Sequence, residues 1–452
     1  MVVFYHAQVH LLRLVVKMKG LKMKKIISIS SLLILNATAG AQTLEERVEA
    51  LEYAGYENIF KFSGQLEMAY STVTTEDKKN DTKASGQAWR SWLKLDMAAK
   101  PSDKMQFYGR LSMAKLMNRM SAYSDGSVGD INGQLEEGQG LKNSEVYVER
   151  AFINYYATDK LTFSMGRLPT ANGTPYSLTR NESSGGAYPL LAYNAFFDGV
   201  ALSYSVTPEF ATKFVYTPLQ FEMGSSATGT ANTTTSGGSA KTPTDVFSIL
   251  LDYDTTNMSW TRRFNLTFQF LNAKAVTVDI NDNTSSKQTD FNIDLQKLLL
   301  AAEMNNIGGS KFDLAIQLMT MTHQTNDPYK AAASVDYYFL TSDGKEETGQ
   351  TEVVTLRYAF DQNNKLGLEY THSSQYAFAF DMVEKTPLEF YGLPGHGYHM
   401  FYNHAFEGGL NMIFGVFETQ QDYKAKVVDF FGERSSADIK SQAVYTNFIA
   451  NF

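Results

Sequence analysis

Three histidines lie close together near the end of the sequence, in the segment PGHGYHMFYNH. They are His396, His399 and His404, and imidazole nitrogen is a common metal ligand. Their spacing matches no zinc signature, and the chain contains no cysteine. If the segment is a strand, neighbouring positions face opposite sides. We therefore expect no metal and no cofactor to bind here.

Motifs for catalysis are also missing from the sequence. It has no G-x-S-x-G turn around a nucleophilic serine, and neither a P-loop nor a dinucleotide-binding glycine motif. We expect a protein that is not an enzyme. A barrel hydrolase with histidines at its rim is kept as an alternative.

Charged side chains in the first half of the chain are the remaining candidates for chemistry. The candidate residues are Arg90, Lys94, Arg110, Arg150, Arg167, Arg180 and Glu182. Arg90, Lys94 and Arg110 occupy polar positions of alternating segments. Arg150 and Arg167 fit less well, and Arg167 shares its parity with the apolar Met165. A basic wall opposite a loop would create a transverse field that favours anions locally, although the acidity of the whole chain leaves the ion preference open.

The elements that carry these side chains follow from a repeat of two residues. In the segment 264–270, Phe and Leu alternate with Asn265, Thr267 and Gln269. This pattern is typical of a strand with one apolar and one polar face. The same alternation occurs over residues 60–71, 90–97, 200–206, 311–318 and 365–370.

Composition points to strands that face lipid. The 452 residues are 13% aromatic and only 19% charged. The mean hydropathy of −0.27 excludes a bundle of transmembrane helices. Strands that are half apolar and half polar average to such a value, as in transmembrane β-barrels.

The N-terminal region reads as an export signal. Met23, Lys24 and Lys25 precede a short apolar run, and small residues at 39–41 suit cleavage. We expect residues 1–41 to be a signal peptide, with 1–22 as an over-extended start. These residues carry six of the 40 basic residues and no acid, which leaves 34 basic against 48 acidic residues. Such a balance argues against nucleic acid as a partner.

Residues 42–58 predict a short periplasmic helix or a coiled-coil stub, from the apolar spacing in TLEERVEALEY. Beyond them, seven tight turns alternate with eight long polar segments. The long segments are 72–85, 117–142, 169–196, 220–244, 273–290, 324–350, 376–397 and 422–439. We expect an all-β fold: a transmembrane antiparallel β-barrel over 59–452 with about 16 strands, short periplasmic turns and long extracellular loops.

Three stretches resemble an uncharacterised family of porin-like outer-membrane proteins. They are FYGRLSMAKL (Phe107–Leu116), LTFSMGRLPTANG (Leu161–Gly173) and FFDGVALSY (Phe196–Tyr204). The final Phe452, preceded by alternating positions, is similar to the C-terminal assembly signal of outer-membrane barrels. The resemblance to Gram-negative porins implies that the loop near 169–196 folds into the barrel and narrows it.

The expected function is therefore an outer-membrane porin that lets small hydrophilic solutes or ions diffuse passively. Sixteen strands leave an aqueous channel, whereas about eight leave an interior filled by side chains. The partners would be outer-membrane lipid and the solutes, in a homotrimer or a monomer. A surface barrel with an adhesive or structural role is the second alternative.

Overall fold

A computed structural model describes the barrel strands and parts of the segments between them. The described residues are 60–116, 146–170, 173–182, 188–193, 197–219, 221–223, 244–256, 258–280, 289–327, 329–332, 335–337, 344–377, 390–423 and 436–452. The chain divides into the units 1–60 and 61–452, and the barrel belongs to the second. The predicted signal peptide and the predicted helix over 42–58 lie outside the described residues.

Sixteen antiparallel strands form one closed wall. They are β1 (Phe60–Asp77), β2 (Thr82–Ser102), β3 (Met105–Leu116), β4 (Val146–Tyr156), β5 (Leu161–Arg167), β6 (Asp198–Ser205), β7 (Phe210–Leu219), β9 (Thr244–Thr255), β10 (Arg263–Ile280), β11 (Thr289–Asn305), β12 (Phe312–Asp327), β15 (Glu347–Ala359), β16 (Asn364–Ser373), β17 (Gly395–Ala405), β18 (Leu410–Tyr423) and β19 (Ser436–Asn451). Each wall strand pairs with its neighbours along the chain, and β1 pairs with β19 to close the ring. The predicted fold is confirmed.

Three short strands stand outside this wall. They are β8 (Phe221–Met223), β13 (Tyr329–Ala332) and β14 (Val335–Tyr337). β8 pairs in parallel with the end of β10, and β13 and β14 form a small hairpin. The short helices are α1 (Tyr176–Arg180) and two 3-10 turns, Leu190–Ala192 and Ile307–Gly309. Among the described residues, no helix combines the length and apolar character needed to cross a bilayer.

The two faces of the wall differ as the alternation predicts. Outward-facing Phe268, Phe270, Leu298 and Leu300 are exposed, whereas inward positions such as Gln269 are buried. Exposed apolar side chains on one face suit contact with lipid tails, which cannot form hydrogen bonds. Closure of the sheet satisfies the backbone groups that an open edge would leave bare.

One predicted long loop is taken up by strands, and the described ends of a second are also strand. The segment 72–85 is taken up by β1 and β2, which leave only residues 78–81 as a turn. The segment 273–290 is partly β10 and β11. Both regions are polar because they extend past the apolar part of the wall, and threonine-rich polar sequence forms strands as readily as loops.

Wall height varies strongly around the barrel. β2 has 21 residues and β1 has 18, but β5 has 7 and β6 has 8. A tilted strand needs about 9–11 residues to cross a bilayer core. The chain leaves the wall early at Arg167, so the segment between β5 and β6 starts below the height of the other strands.

Candidate pore constriction

The segment between β5 and β6 runs through the inside of the barrel. Its described residues contact β1, β11, β12, β15, β16 and β17. In the ring, β16 lies eight strands from β5 in either direction. A segment anchored at β5 can reach the opposite wall only across the lumen. We call residues 168–197 the lumen segment, in the described parts 168–170, 173–182, 188–193 and 197.

α1 is held by its C-terminal end. Its C-cap residue Asn181 has φ 55°, in the left-handed region that ends helices. The last carbonyl groups of a helix lack partners within the helix. Here Arg357 donates to the Leu178 carbonyl at 2.9 Å, and Asn403 donates to the Thr179 carbonyl at 2.8 Å. The Leu178 carbonyl also accepts from the Asn181 amide at 3.1 Å, so the wall side chains add to the backbone bonds at this end of α1.

Arg180 joins the lumen segment to the wall through a buried ion pair. Its two terminal nitrogens donate to the two carboxylate oxygens of Glu67 at 2.9 and 2.7 Å, and its Nε donates to Glu182 at 3.2 Å. Paired hydrogen bonds between guanidinium and carboxylate are strong and fix orientation. Burial by itself lowers the pKa of Arg180, but the charges of Glu182 and Glu67 outweigh it and hold that pKa above its ordinary value.

A second set of bonds anchors the turn at Leu190–Ala192. Lys297 on β11 donates to the Leu191 carbonyl at 3.0 Å and also to the Ala192 carbonyl. Gln317 on β12 accepts from the Leu191 amide at 2.9 Å. The same Gln317 donates to the carbonyl of Thr174, whose hydroxyl donates to Glu303. Thr174 and the turn at Leu190–Ala192 are therefore bound to the same part of the wall, β11 and β12.

Aromatic side chains fill the space between these anchors. Tyr188, Tyr193 and Phe197 are buried and stack edge to face, with ring centres 5.4 and 5.5 Å apart. They belong to one apolar cluster that includes Leu250 and Leu299 of the wall. Part of the lumen is packed like a protein core.

Four predicted site residues share the inner face of β2, β3 and β4. Lys94 donates to Gln65 at 2.7 Å, and the Arg90 guanidinium lies 5.2 Å from the Trp92 ring centre. Arg110 is the cross-strand partner of Arg150. Because cross-strand partners share a face, Arg150 faces inward with Arg110.

A β-bulge explains why the position of Arg150 is hard to predict. The register shifts between Arg110 and Leu111, so that Arg150 pairs with Arg110 while Val148 pairs with Leu111. Such a bulge places two residues of one strand opposite one residue of its partner. Glu149, which bonds Arg110, and Arg150 are thereby brought to the same side.

Arg167 is the exception among the predicted residues. It binds Asp198 through two hydrogen bonds of 2.9 and 2.8 Å, at the edge of β5 and β6. It shares its face with the exposed, outward-facing Phe163 and Met165. The structure places Arg167 on the outward face, as its parity with these apolar residues indicates, and not on the face of Arg110 and Arg150.

The expected basic wall is also different in the structure. Arg110 binds Asp96 at 2.6 Å and Glu149 at 3.2 Å, so acids next to it balance its charge. The contact across the lumen joins a cation of the lumen segment, Arg180, to an acid of the wall, Glu67. Sequence reasoning missed Glu67 because a single polar position on a strand does not reveal its partner.

A second segment also enters the barrel, between β16 and β17. Its described residues Phe390 and Tyr391 are fully buried. The Tyr391 hydroxyl donates to Glu369 at 2.8 Å, and His399 lies between Glu369 and Tyr445 at 3.3 and 3.0 Å. This packing was not predicted.

The three clustered histidines do not converge. His399 is buried on the inner face, whereas the half-buried His396 and His404 lie on the other face of β17. Among the described residues there is no group of three side chains that could hold a metal ion.

Solved structures with a similar fold are porins. The anion-selective porin from Comamonas acidovorans matches with a TM-score of 0.51 at 11% identity, over 87% of this chain and 100% of that chain. OprB from Pseudomonas putida, solved at high pH, matches with a TM-score of 0.49 at 10% identity, over 89% and 96%. OmpF from Salmonella typhi in complex with daunomycin has a TM-score of 0.45 at 12% identity, over 87% and 97%. The first of these similarities shows a porin-like barrel fold.

Comparison by sequence gives a family but no activity. No curated protein matches this chain. One family model, described as a protein of unknown function, matches residues 77–445. That range runs from the end of β1 into β19 and so covers nearly the whole barrel. The chain belongs to this family, DUF3373.

Proposed function

We propose that this protein is an outer-membrane porin, through which small hydrophilic solutes or ions diffuse passively. The observation that carries the proposal is a closed sixteen-stranded wall with inward polar side chains, crossed by the lumen segment. A barrel of this strand number is wide enough for water. The lumen segment occupies part of that width, so it limits the size of what passes.

The same features support a location in the outer membrane. The outward face carries exposed aromatic and aliphatic side chains, such as Phe214 and Phe247, which suit a lipid environment. The export signal expected at 1–41 would bring the chain to the envelope. Its partners there would be outer-membrane lipid and the solutes themselves, without a cofactor and without enzymatic activity.

Reconstitution tests this proposal directly. In liposomes loaded with an impermeant polymer, we expect the protein to cause swelling in isotonic arabinose at a rate that falls with larger sugars, because the lumen segment narrows the path. In planar bilayers it should give stepwise ohmic currents. Protein-free liposomes are the control. A barrel hydrolase or an adhesive barrel with a sealed interior would give neither swelling nor current.

A homotrimer is also part of the proposal. It is supported by the side of the wall that β5 and β6 form, which we call the low side. β5 and β6 are shorter than a bilayer crossing requires. Their outward side chains Phe163, Met165, Leu202 and Tyr204 are exposed in the single chain. Another copy of the chain would cover this side better than lipid does.

A charged side chain introduced on the outer face of β5 should separate the subunits of the proposed trimer. We expect Met165→Glu to convert the assembly to monomers, because a buried unpaired carboxylate is costly at an apolar interface. The measurement is mass by light scattering in detergent. Leu298→Glu, on the tall side of the wall, is the matched control and should leave the mass unchanged. A Met165→Glu protein with the mass of wild type would contradict the trimer contact.

A further inference from the structure

Charged residues on the turn side of the lumen form a second feature, which borders the lumen segment where Lys213 Nζ lies 5.4 Å from the Tyr188 ring centre. They lie on the inner faces of β2–β4, β7, β9 and β10, toward the tight turns. The members are Asp96, Arg110, Glu149, Lys213, Asp252, Asp254 and Arg263. We call them the turn-side ion pairs.

Most of these side chains are accessible to water, in contrast to the pairs that hold the lumen segment. Exposed fractions are 18% for Arg110, 33% for Asp96, 24% for Lys213 and 23% for Asp252. The values for Arg180 and Glu67 are 3% and 0%. The turn-side ion pairs therefore line the wet part of the lumen, where a solute would touch them.

Each cation in this set has an acid beside it. Arg110 binds Asp96 and Glu149, Lys213 binds Asp252 at 3.1 Å, and Arg263 binds Asp254 at 2.6 Å. Asp252 is fixed further by donors from Asn265 at 3.1 Å and Thr267 at 2.8 Å. The two signs are thus held a few ångströms apart in a defined arrangement.

Paired charges act differently on ions and on zwitterions. A single ion at such a wall feels attraction and repulsion from nearly equal distances, and the two largely cancel. A small molecule with both charges can turn so that each of its ends meets the opposite sign. A wall of this kind therefore attracts zwitterions, but it discriminates little between anions and cations.

We propose that the turn-side ion pairs make the pore selective for small zwitterionic solutes of the amino-acid class, with little preference for either sign of ion. This inference rests on the proposed porin function and specifies its solute class. Within it, Asp252 and Lys213 are specificity-determining residues, and so are Asp254 and Arg263.

Liposome swelling and reversal potentials test the proposal with the full chain. Swelling in isotonic serine should be at least about twofold faster than in erythritol, a neutral solute of similar size. In a KCl gradient the permeability ratio of K⁺ to Cl⁻ should lie within about twofold of one. Serine slower than erythritol, or an ion ratio beyond about fivefold, would overturn the proposal.

Variants of one pair should shift the ion preference in opposite directions. We expect Asp252→Asn to move the reversal potential toward Cl⁻, since Lys213 loses its acid, and Lys213→Gln to move it toward K⁺. Asp254→Asn and Arg263→Gln form a second such couple in case the first does not fold. Lys160→Gln, which changes an exposed lysine in the turn between β4 and β5, should leave the potential unchanged.

The results of these experiments distinguish a failure of the proposed zwitterion selectivity from a failure of the porin function on which it rests. Shifts in the same direction for both members of a couple, or no shift in either couple, would overturn the role of the ion pairs while the pore itself stands. A folded protein without any current or swelling would overturn the porin function and this inference with it.

Discussion

Replacing Arg180 with alanine is expected to raise the conductance of a single pore severalfold. Arg180 holds the lumen segment to Glu67 with two hydrogen bonds, and both side chains are buried. Removing one partner of a buried ion pair costs about 3–5 kcal/mol, since Glu67 would keep the hydrogen bond from Asn447 at 3.0 Å but lose both bonds from Arg180. Glu67 regains hydration only if the lumen segment moves away and water enters.

Conductance steps in planar bilayers measure this effect. Arg180→Lys keeps the charge but loses the paired geometry, so its conductance should lie between those of the alanine variant and wild type. The double variant Arg180→Gln with Glu67→Gln removes both charges. Its lumen segment should therefore stay bound to the wall more firmly than the lumen segment of Arg180→Ala. If Arg180→Ala leaves the conductance unchanged, the Arg180–Glu67 pair does not control the width of the pore.

Gly173→Ala should also widen the pore, by a steric route. A Cβ atom at Gly173 would lie 1.7 Å from the Tyr188 carbonyl oxygen and 2.6 Å from its carbonyl carbon. Backbone atoms cannot rotate aside as a flexible side chain can, so the chain around Gly173 and the chain around Tyr188 must move apart. We expect faster swelling in large sugars and a higher conductance.

Gly308→Ala is the matched control for this substitution. Gly308 lies in the tight turn between β11 and β12, with φ 61° and nothing within 4 Å of an added Cβ. The substitution lowers the stability of the fold by only about 1–2 kcal/mol, which is the cost of placing alanine in the left-handed backbone region. Heat-dependent migration on gels should therefore shift slightly, while swelling rates stay at the wild-type value. Equal swelling by Gly173→Ala and wild type would show that the lumen segment does not set the size limit.

The strands could be predicted from sequence because their cause is local. Alternation along 264–270 fixes which side of β10 meets lipid, whatever strand lies beside it. The ends of strands have no such local cause. Residues Thr72 to Asp77 extend β1 although they are polar, because hydrogen bonds to β19 continue past the apolar part of the wall.

The constriction could be predicted only in part, because its contacts are not local. Arg180 and Glu67 are 113 residues apart, and only the path of the lumen segment brings them together. The side on which Arg150 lies depends on a bulge whose position is set by pairing with β3. Parity alone did point to the odd position of Arg167, and the pair with Asp198 explains how a charge is tolerated there.

The pairing of β1 with β19 has a consequence for assembly. Gln65 meets Asn451 at this seam, so the contact joins residues from opposite ends of the barrel sequence. Contacts this distant form slowly, and until they form, both strands present unpaired edges that attract other chains. Since lipid does not tolerate such edges, we expect that in the proposed outer-membrane barrel insertion into the bilayer and joining of the seam proceed together.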